Sequence, residues 1–483
     1  MLEDIIAERR KKIDLIRKAK LDPYPARVKR SFSVGHALNH FDELSKSKES
    51  ISLVGRVRNL RDQGKIMFAD LEDGKGKIQA VFKGEELKDM DFWRSVVDIG
   101  DFISVTGPLF ITKRGERSIE AHQVQMASKS LYPLPDKWEG LEDIETRLRE
   151  RYLDLIAHPE IKDLFMKKAI FWTSVREFFE NEGFLEVETS VLESLAGGAE
   201  AEPFRTHHNA LDTEFFLRIS LELQLKKLVT GGFEQIFEIG RVFRNEGIDR
   251  EHLQDFTFME CYWAYHDCRD MMTLTQKMLK FVIEKTTGGL KTASFGYHVD
   301  WDKPWPEVDY VKAFKKETGL DPVAATHEEL FSKAKELGLA PEKGLQKGRL
   351  IDLVYKKTMR PKLIEPCFLV GHPLIVSPLS KASPENPEIA DRFQIVACGS
   401  ELGNGYSELN DPQDQRKRFE AQMKLREKGD KEAMHLDDDF LKALEYGMPP
   451  TAGFGMSERV FAILMDKPVR ETVFFPLMRP KNK

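Results

Sequence analysis

One stretch constrains this chain more than any other: residues 237–265, FEIGRVFRNEGIDREHLQDFTFMECYWAY. Its pattern predicts strand, polar loop, strand. In the first arm Phe237, Ile239 and Phe243 alternate with Glu238, Gly240, Val242 and Arg244. In the return arm Phe256, Phe258, Glu260 and Tyr262 alternate with Thr257, Met259, Cys261 and Trp263. Successive side chains on a strand point to opposite faces, so Arg244, Phe256, Glu260 and Tyr262 share one face. Such a mixture of cation, aromatic plate, carboxylate and phenol is poor core material, while the other face is largely apolar. For an ordinary hairpin, a solvated face with a salt bridge would explain it. Here the loop adds Asn245, Glu246, Arg250 and His252. That concentration of polar groups points to a site for something anionic, something flat and something cationic.

The chain has 483 residues, enough for two or three domains with sizeable cores. With 41% hydrophobic and 32% charged residues it cannot be wholly disordered. A net charge of −6 means that any nucleic-acid contact must come from local basic patches. Cys261, Cys268, Cys367 and Cys398 form no CxxC pair, so neither a disulfide framework nor a thiolate zinc site is expected. No run approaches membrane-spanning length and the N-terminus has no apolar signal core. The composition fits a soluble cytoplasmic protein.

Along the chain, residues 1–50 read as a basic helical arm. The helix over 2–20 carries Arg9, Arg10, Lys11, Lys12, Arg17, Lys18 and Lys20 beside a partial apolar stripe, a plausible handle for phosphates. Residues 51–130 switch to five short strands with glycine turns and a helical piece near 84–97, the pattern of a small OB-type barrel. Phe68 beside Arg56, Arg58 and Arg61 offers a stacking plate next to cations; alone, it reads as a structural Phe. Residues 131–158 form a Pro-containing linker. A helix over 159–182 opens the remainder, 159–483, which includes a less patterned, mostly helical insertion at about 288–365. The β pattern returns in 366–379 and 392–411. A glycine-lined strand, TAGFGMS, then runs into a helix with Arg459 in its first turn; glycines let a backbone approach a flat ligand closely.

Taken together, these blocks resemble the class II aminoacyl-tRNA synthetases, specifically the lysyl-tRNA synthetase family of bacterial and eukaryotic type. FRNEG with FTFMECYWAY is similar to motif 2, GFLEVETSVL to motif 1, and AGFGMSERV to motif 3. PFRTHHNALDTEFFLRIS and ELGNGYSELNDPQDQRKRF resemble lysyl-family blocks, and the likeness spans nearly the whole chain. It implies an α+β fold, with an N-terminal OB-fold β-barrel followed by a class II antiparallel sheet flanked by helices. It also implies a homodimer formed through motif 1 and the substrates ATP, L-lysine and tRNA(Lys), with Mg2+. By position, Arg244 and Arg459 would be catalytic, on the α- and γ-phosphates. Phe256 would stack on adenine, Glu246 and His252 would meet the adenine and outer phosphates, and Glu401 would hold magnesium. Glu222, Glu260, Tyr262, Asn404, Tyr406 and Glu408 would line the lysine pocket, and Phe68, Gln79 and Glu116 would read the anticodon.

The residues agree with that likeness. Lysine carries two ammonium groups, and a buried charge needs a partner; three carboxylates, Glu222, Glu260 and Glu408, supply partners. An aspartate-specific relative would need a cation instead. A protein-lysylating paralogue would lack the barrel, and an inactive regulator would lack Arg244, Arg459 or Glu401. Three departures stand out. Ser190 occupies a position where the family has proline. Motif 3 is shortened, with Ser457 directly before Glu458 and Arg459, so that a one-residue strand slip needs a bulge. Gln394 stands where the family has a magnesium-binding glutamate, so the metal position beside it is expected to be weaker.

Overall fold

The alternating stretch folds as the hairpin its pattern predicts. In the computed structural model, which describes residues 2–135, 142–247, 252–342 and 344–480, strand Gln235–Phe243 pairs antiparallel with Asp255–Ala264. Of the loop, Arg250 lies outside the described residues. The two arms sit inside an eight-stranded sheet, ordered 307–309, 367–370, 392–397, 400–407, 451–457, 255–264, 235–243, 185–186. The inner six strands are antiparallel, as expected; the short strands at both edges run parallel to their neighbours.

The two faces divide the chemistry. On the odd face Phe237, Met259 and Cys261 join Phe454 and Met456 in a core closed by helices Glu160–Asn181 and Cys268–Thr287. Local sequence shapes both helices. Phe171, Val175, Phe178 and Phe179 recur at helical spacing on the first, and Gly183 follows it at φ +87°. The second starts at a capping box, Asp267 with Asp270, and ends at Gly288 with φ +84°. Each fully buried large apolar side chain contributes roughly 1.5–3 kcal/mol, so this face holds the sheet together. On the even face, helices Glu222–Thr230, Pro412–Glu427 and Asp438–Glu445 cover Ile236 and Val242 with a smaller core. The rest of that face is a cleft.

The insertion is helical only from residue 310. A hairpin, Lys291–Ser294 with Tyr297–Asp300, and the edge strand Glu307–Asp309 come first. These strands have four residues or fewer, too few for alternation to register in sequence. Helices Tyr310–Thr318, His327–Glu336 and Lys347–Thr358 then pack around Phe314, Leu330 and Leu350. The expected linker 131–158 is partly helical, with Ile144–Arg149 and Arg151–Ala157. Buried Arg151 pairs with Asp154 at 2.6 Å and donates to the carbonyls of Val473 and Phe474. Those helices therefore belong with the sheet, and the division into two compact units falls between residues 142 and 143.

Among its described residues the N-terminal unit contains seven strands where five were expected. Pro108 separates Phe102–Gly107 from Leu109–Ile111, because proline has no N–H for the ladder. Likewise Arg117–Glu120 and Gln123–Ser128 are two halves of one segment. Ala121 N donates to Val81 O and His122 N to Thr106 O, both at 2.9 Å, so the segment bridges two strands that do not otherwise pair. The basic arm belongs to this unit's core. Helix Leu2–Lys18 buries Ile16 beside Val57 and Val105, and buried Arg9 donates to the carbonyls of Ile99 and Tyr132 at 2.9 and 2.8 Å. At least Arg9, and Lys12 through Asp98 at 2.6 Å, serve structure instead of phosphates.

Candidate active site

The cleft on the even face encloses about 520 Å³. Arg244, Glu246, His252, Phe256, Glu222, Glu260, Tyr262, Glu401, Asn404, Tyr406, Glu408 and Arg459 all line it. They come from four places in the chain: helix 222–230, the hairpin and its loop, strand 400–407 with the residue after it, and the helix Arg459–Leu464; the glycine strand 451–457 lies among them. Period-two alternation explains the hairpin's share. The glycine strand lies between the others because it carries almost no side chain there. A Cβ on Gly453 would sit 2.0 Å from Glu408 Oε1 and 2.7 Å from the Tyr262 ring.

Three buried carboxylates form one wall. Glu260 accepts from Ser220 Oγ at 2.6 Å, from Leu221 N at 3.0 Å and from Tyr262 Oη at 2.8 Å. Burial and the neighbouring Glu222 nevertheless push its pKa up to about 7. Glu222 accepts from Tyr406 Oη at 2.7 Å and from Lys226 Nζ at 2.5 Å. Glu408 pairs with the same Lys226 ammonium. Lys226 is completely buried; burial works against its charge, but Glu222 and Glu408 outweigh burial and hold its pKa above the ordinary lysine value.

Cations and flat rings line the rest. The Arg244 guanidinium lies 5.3 Å from the Phe256 ring centroid and 5.8 Å from that of Phe258, and its Nε donates to Ile219 O at 3.2 Å. The loop ends beside Glu246 are tied by Gln254 Nε2, which donates to Gly247 O at 3.2 Å. Arg459 reaches the cleft despite the shortened motif, and no bulge is needed. The register between 255–264 and 451–457 is unbroken from Ala264–Thr451 to Phe258–Ser457. Glu458 ends the ladder, its N donating to Thr257 O at 3.1 Å while its carboxylate pairs with Lys168 and accepts from Thr257 N at 3.3 Å, and the next residue, Arg459, opens the helix.

Gln394 is placed differently from the other candidates. It is buried, its Oε1 accepts from Tyr355 Oη at 3.2 Å, and it is not among the lining residues. The physical reason is the insertion: helix Lys347–Thr358 lays Tyr355 over this part of strand 392–397. Among the described residues no group of three or more His, Cys, Asp or Glu could hold a metal ion. Glu401 alone suits a hard cation that takes most of its oxygens from phosphates and water. Ser190 is exposed, and its hydroxyl donates to Leu192 O at 2.9 Å. The adjacent Thr189 is held by Glu238, which pairs with buried Arg218 at 2.6 Å.

Sequence reading missed several lining residues: Ser220, Arg349, Lys356, Arg360 and Arg392. Arg349, from the insertion, bridges Glu200 at 3.1 Å, Glu432 at 3.2 Å and Asp430 at 3.4 Å along the rim. Arg392 Nε donates to Asn404 Oδ1 at 2.7 Å. Lys226, buried behind this lining on the helix of Glu222, was missed as well.

In the N-terminal unit, Phe68 and Gln79 share the half-buried face of paired strands Ile66–Glu72 and Lys77–Lys83. Arg61 lies opposite Phe68 with its guanidinium 5.9 Å from the ring. Gln79 accepts from Ser118 Oγ at 3.2 Å, and Glu116 is exposed in the turn before that strand.

Comparison with known proteins accounts for both units. The profile of tRNA synthetases class II (D, K and N) matches residues 143–479, and that of the OB-fold nucleic acid binding domain matches 51–127. The lysine–tRNA ligase of Moorella thermoacetica is 43% identical over 485 residues, covering 99% of each chain. That of Carboxydothermus hydrogenoformans is 41% identical over 491 residues, covering 100% of this chain and 99% of the relative. That of Aquifex aeolicus is 43% identical over 441 residues, 90% of this chain and 74% of the relative. A cleft built on an antiparallel sheet, an OB-fold unit before it and likeness along the whole length lead to one conclusion: the chain belongs to the class II tRNA synthetases of the D, K and N group.

Proposed function

We propose that this enzyme activates L-lysine with ATP to lysyl-adenylate and transfers the lysyl group to the 3′ end of tRNA(Lys). The observation that carries the specificity is the wall of three buried carboxylates, Glu222, Glu260 and Glu408. A substrate with a side-chain carboxylate would face them at a cost of several kcal/mol. Lys226 does not reverse that preference, because both its neighbours are carboxylates.

In the reaction, the lysine carboxylate attacks the α-phosphorus in line and pyrophosphate leaves. The tRNA's terminal hydroxyl then attacks the adenylate carbonyl, releasing AMP. The protein's part is positioning and charge. Arg244 neutralises the α-phosphate, Phe256 stacks on adenine with Glu246 at the ring's edge, and His252 and Arg459 hold the outer phosphates. Tyr262, Asn404 and Tyr406 orient the amino acid beside the carboxylates. Glu401 would hold a magnesium ion together with the phosphates, and that ion would supply countercharge for the pyrophosphate. Phe68, Gln79 and Glu116 read the anticodon.

A homodimer completes the reading. Helix 160–181 exposes Met166 and Ile170, and the C-terminal segment exposes Phe475 and Leu477; a second copy would cover them. The four cysteines, free and buried, suit a reducing cytoplasm, and no helix among the described residues is long and apolar enough to cross a membrane.

Pyrophosphate exchange into ATP, driven in turn by lysine, aspartate and asparagine, tests the specificity. Lysine alone should support it; exchange driven by either rival would overturn the reading. Light scattering tests the dimer.

A further inference from the structure

Buried ammonium groups are rare because desolvation opposes their charge, yet Lys226 lies inside the substrate wall with no solvent exposure. Its Nζ donates to Glu222 Oε1 at 2.5 Å and pairs with Glu408. The Tyr406 and Phe440 rings flank it at 5.6 and 5.9 Å. The next residue, Lys227, points outward to an exposed pair with Asp439 at 2.5 Å, so of these two adjacent lysines Lys226 is the buried one. The titratable groups around it are Glu222 on its own helix, Tyr406 and Glu408 from strand 400–407 and its end, and Glu260 and Tyr262 from the hairpin.

Charge counting gives this lysine a task. Lysine as substrate has two ammonium groups, and the wall has three carboxylates. With Glu260 ionised, above about pH 7, two against three leaves one buried negative charge unpaired. Lys226 supplies the third ammonium. It occupies Glu222 Oε1, while the other oxygen, Oε2, accepts from Tyr406, so the carboxylates are held at fixed separations before substrate arrives. A buried ion pair is weak support for stability as such; its placement inside a binding wall gives it a reason to be there.

We infer that Lys226 is a positioning residue for amino-acid recognition, a resident ammonium that matches the three-carboxylate wall to a substrate bearing two ammonium groups. The inference rests on the lysine reading above. Removing Lys226 leaves an excess negative charge, and removing Glu408 leaves an excess positive one. Removing both restores two carboxylates against two ammonium groups.

The test is a double-mutant cycle on the full-length protein, K226M, E408Q and K226M/E408Q, read as the lysine KM and ATP KM of pyrophosphate exchange. Each single variant should raise the lysine KM by about tenfold or more and leave the ATP KM within about twofold. Adding K226M to E408Q should lower the lysine KM by about fivefold or more, one lesion repairing the other. A lysine serving only the fold would make the double variant additive or worse, and that result would overturn the inference. If K226M fails to fold alone but the double variant folds, the repair stands as support. If neither folds, Lys226 is needed for packing and the inference falls. A parent enzyme that does not use lysine would bring down the functional reading itself, separately from this cycle.

Discussion

The carboxylate wall of the cleft and the aromatic face of the N-terminal unit both place charge beside rings, under opposite conditions. In the wall, Glu222, Glu260, Glu408 and Lys226 are buried, and Lys226 ties Glu222 to Glu408. On the sheet face, exposed Arg61 lies 5.9 Å from the half-buried Phe68 ring, and 3.7 Å from Asp70. Solvent screens the second arrangement, so its pairs contribute little individually. Burial removes that screening in the first, and each charge depends on the count of the others. The wall should therefore respond to single changes strongly and non-additively, the face weakly and nearly independently.

The largest expected effect is in the wall. Glu408→Gln should cost lysine use about 2–5 kcal/mol, because it leaves buried ammonium groups facing a neutral amide. Lysine-dependence of pyrophosphate exchange measures it, and an unchanged lysine KM would remove Glu408 from the pocket. On the sheet face, Phe68→Ala should leave exchange intact and weaken tRNA charging by about 1–3 kcal/mol, the contribution of one stacked base. Charging equal to the parent's would leave Phe68 a purely structural residue.

A smaller effect separates the two regions by pH. Glu260 has its pKa raised to about 7 by burial and Glu222. Above that pH it is a carboxylate; as pH falls through it, the wall gains a proton and loses one negative charge. The lysine KM should then rise, by up to about tenfold per pH unit, while Glu260→Gln should flatten the dependence. A parent profile flat between pH 8 and 6 would contradict the raised pKa. The smallest expected effect concerns Gln394→Glu. With Tyr355 over this position and the side chain outside the cleft lining, the magnesium half-saturation should shift by less than about twofold. A clear drop would show that the side chain can leave Tyr355 and reach the metal.

Much of this was legible in sequence because it follows from local periodicity. The hairpin's two faces are set by alternation, the helix expected over 159–182 by apolar residues at helical spacing closed by Gly183, and the blocks around Arg244, Glu401 and Arg459 by residue type and spacing. Each depends on neighbours a few residues away, and those interactions act in any context that lets the element form.

What tertiary structure decided lies at longer range. Whether the shortened motif 3 needed a bulge depended on where Glu458 finds its partners, Lys168 and Thr257, which lie about 290 and 201 residues away. Gln394 is drawn under Tyr355 by a helix of the insertion, and Arg349, Lys356 and Arg360 reach the cleft from that same region. Lys226 looked like one more helical lysine. Only the arrival of Glu408, from a strand far along the chain, gives its buried ammonium a second partner. A buried charge is tolerated or forbidden according to everything that surrounds it in three dimensions, and period and spacing along one chain do not contain that count.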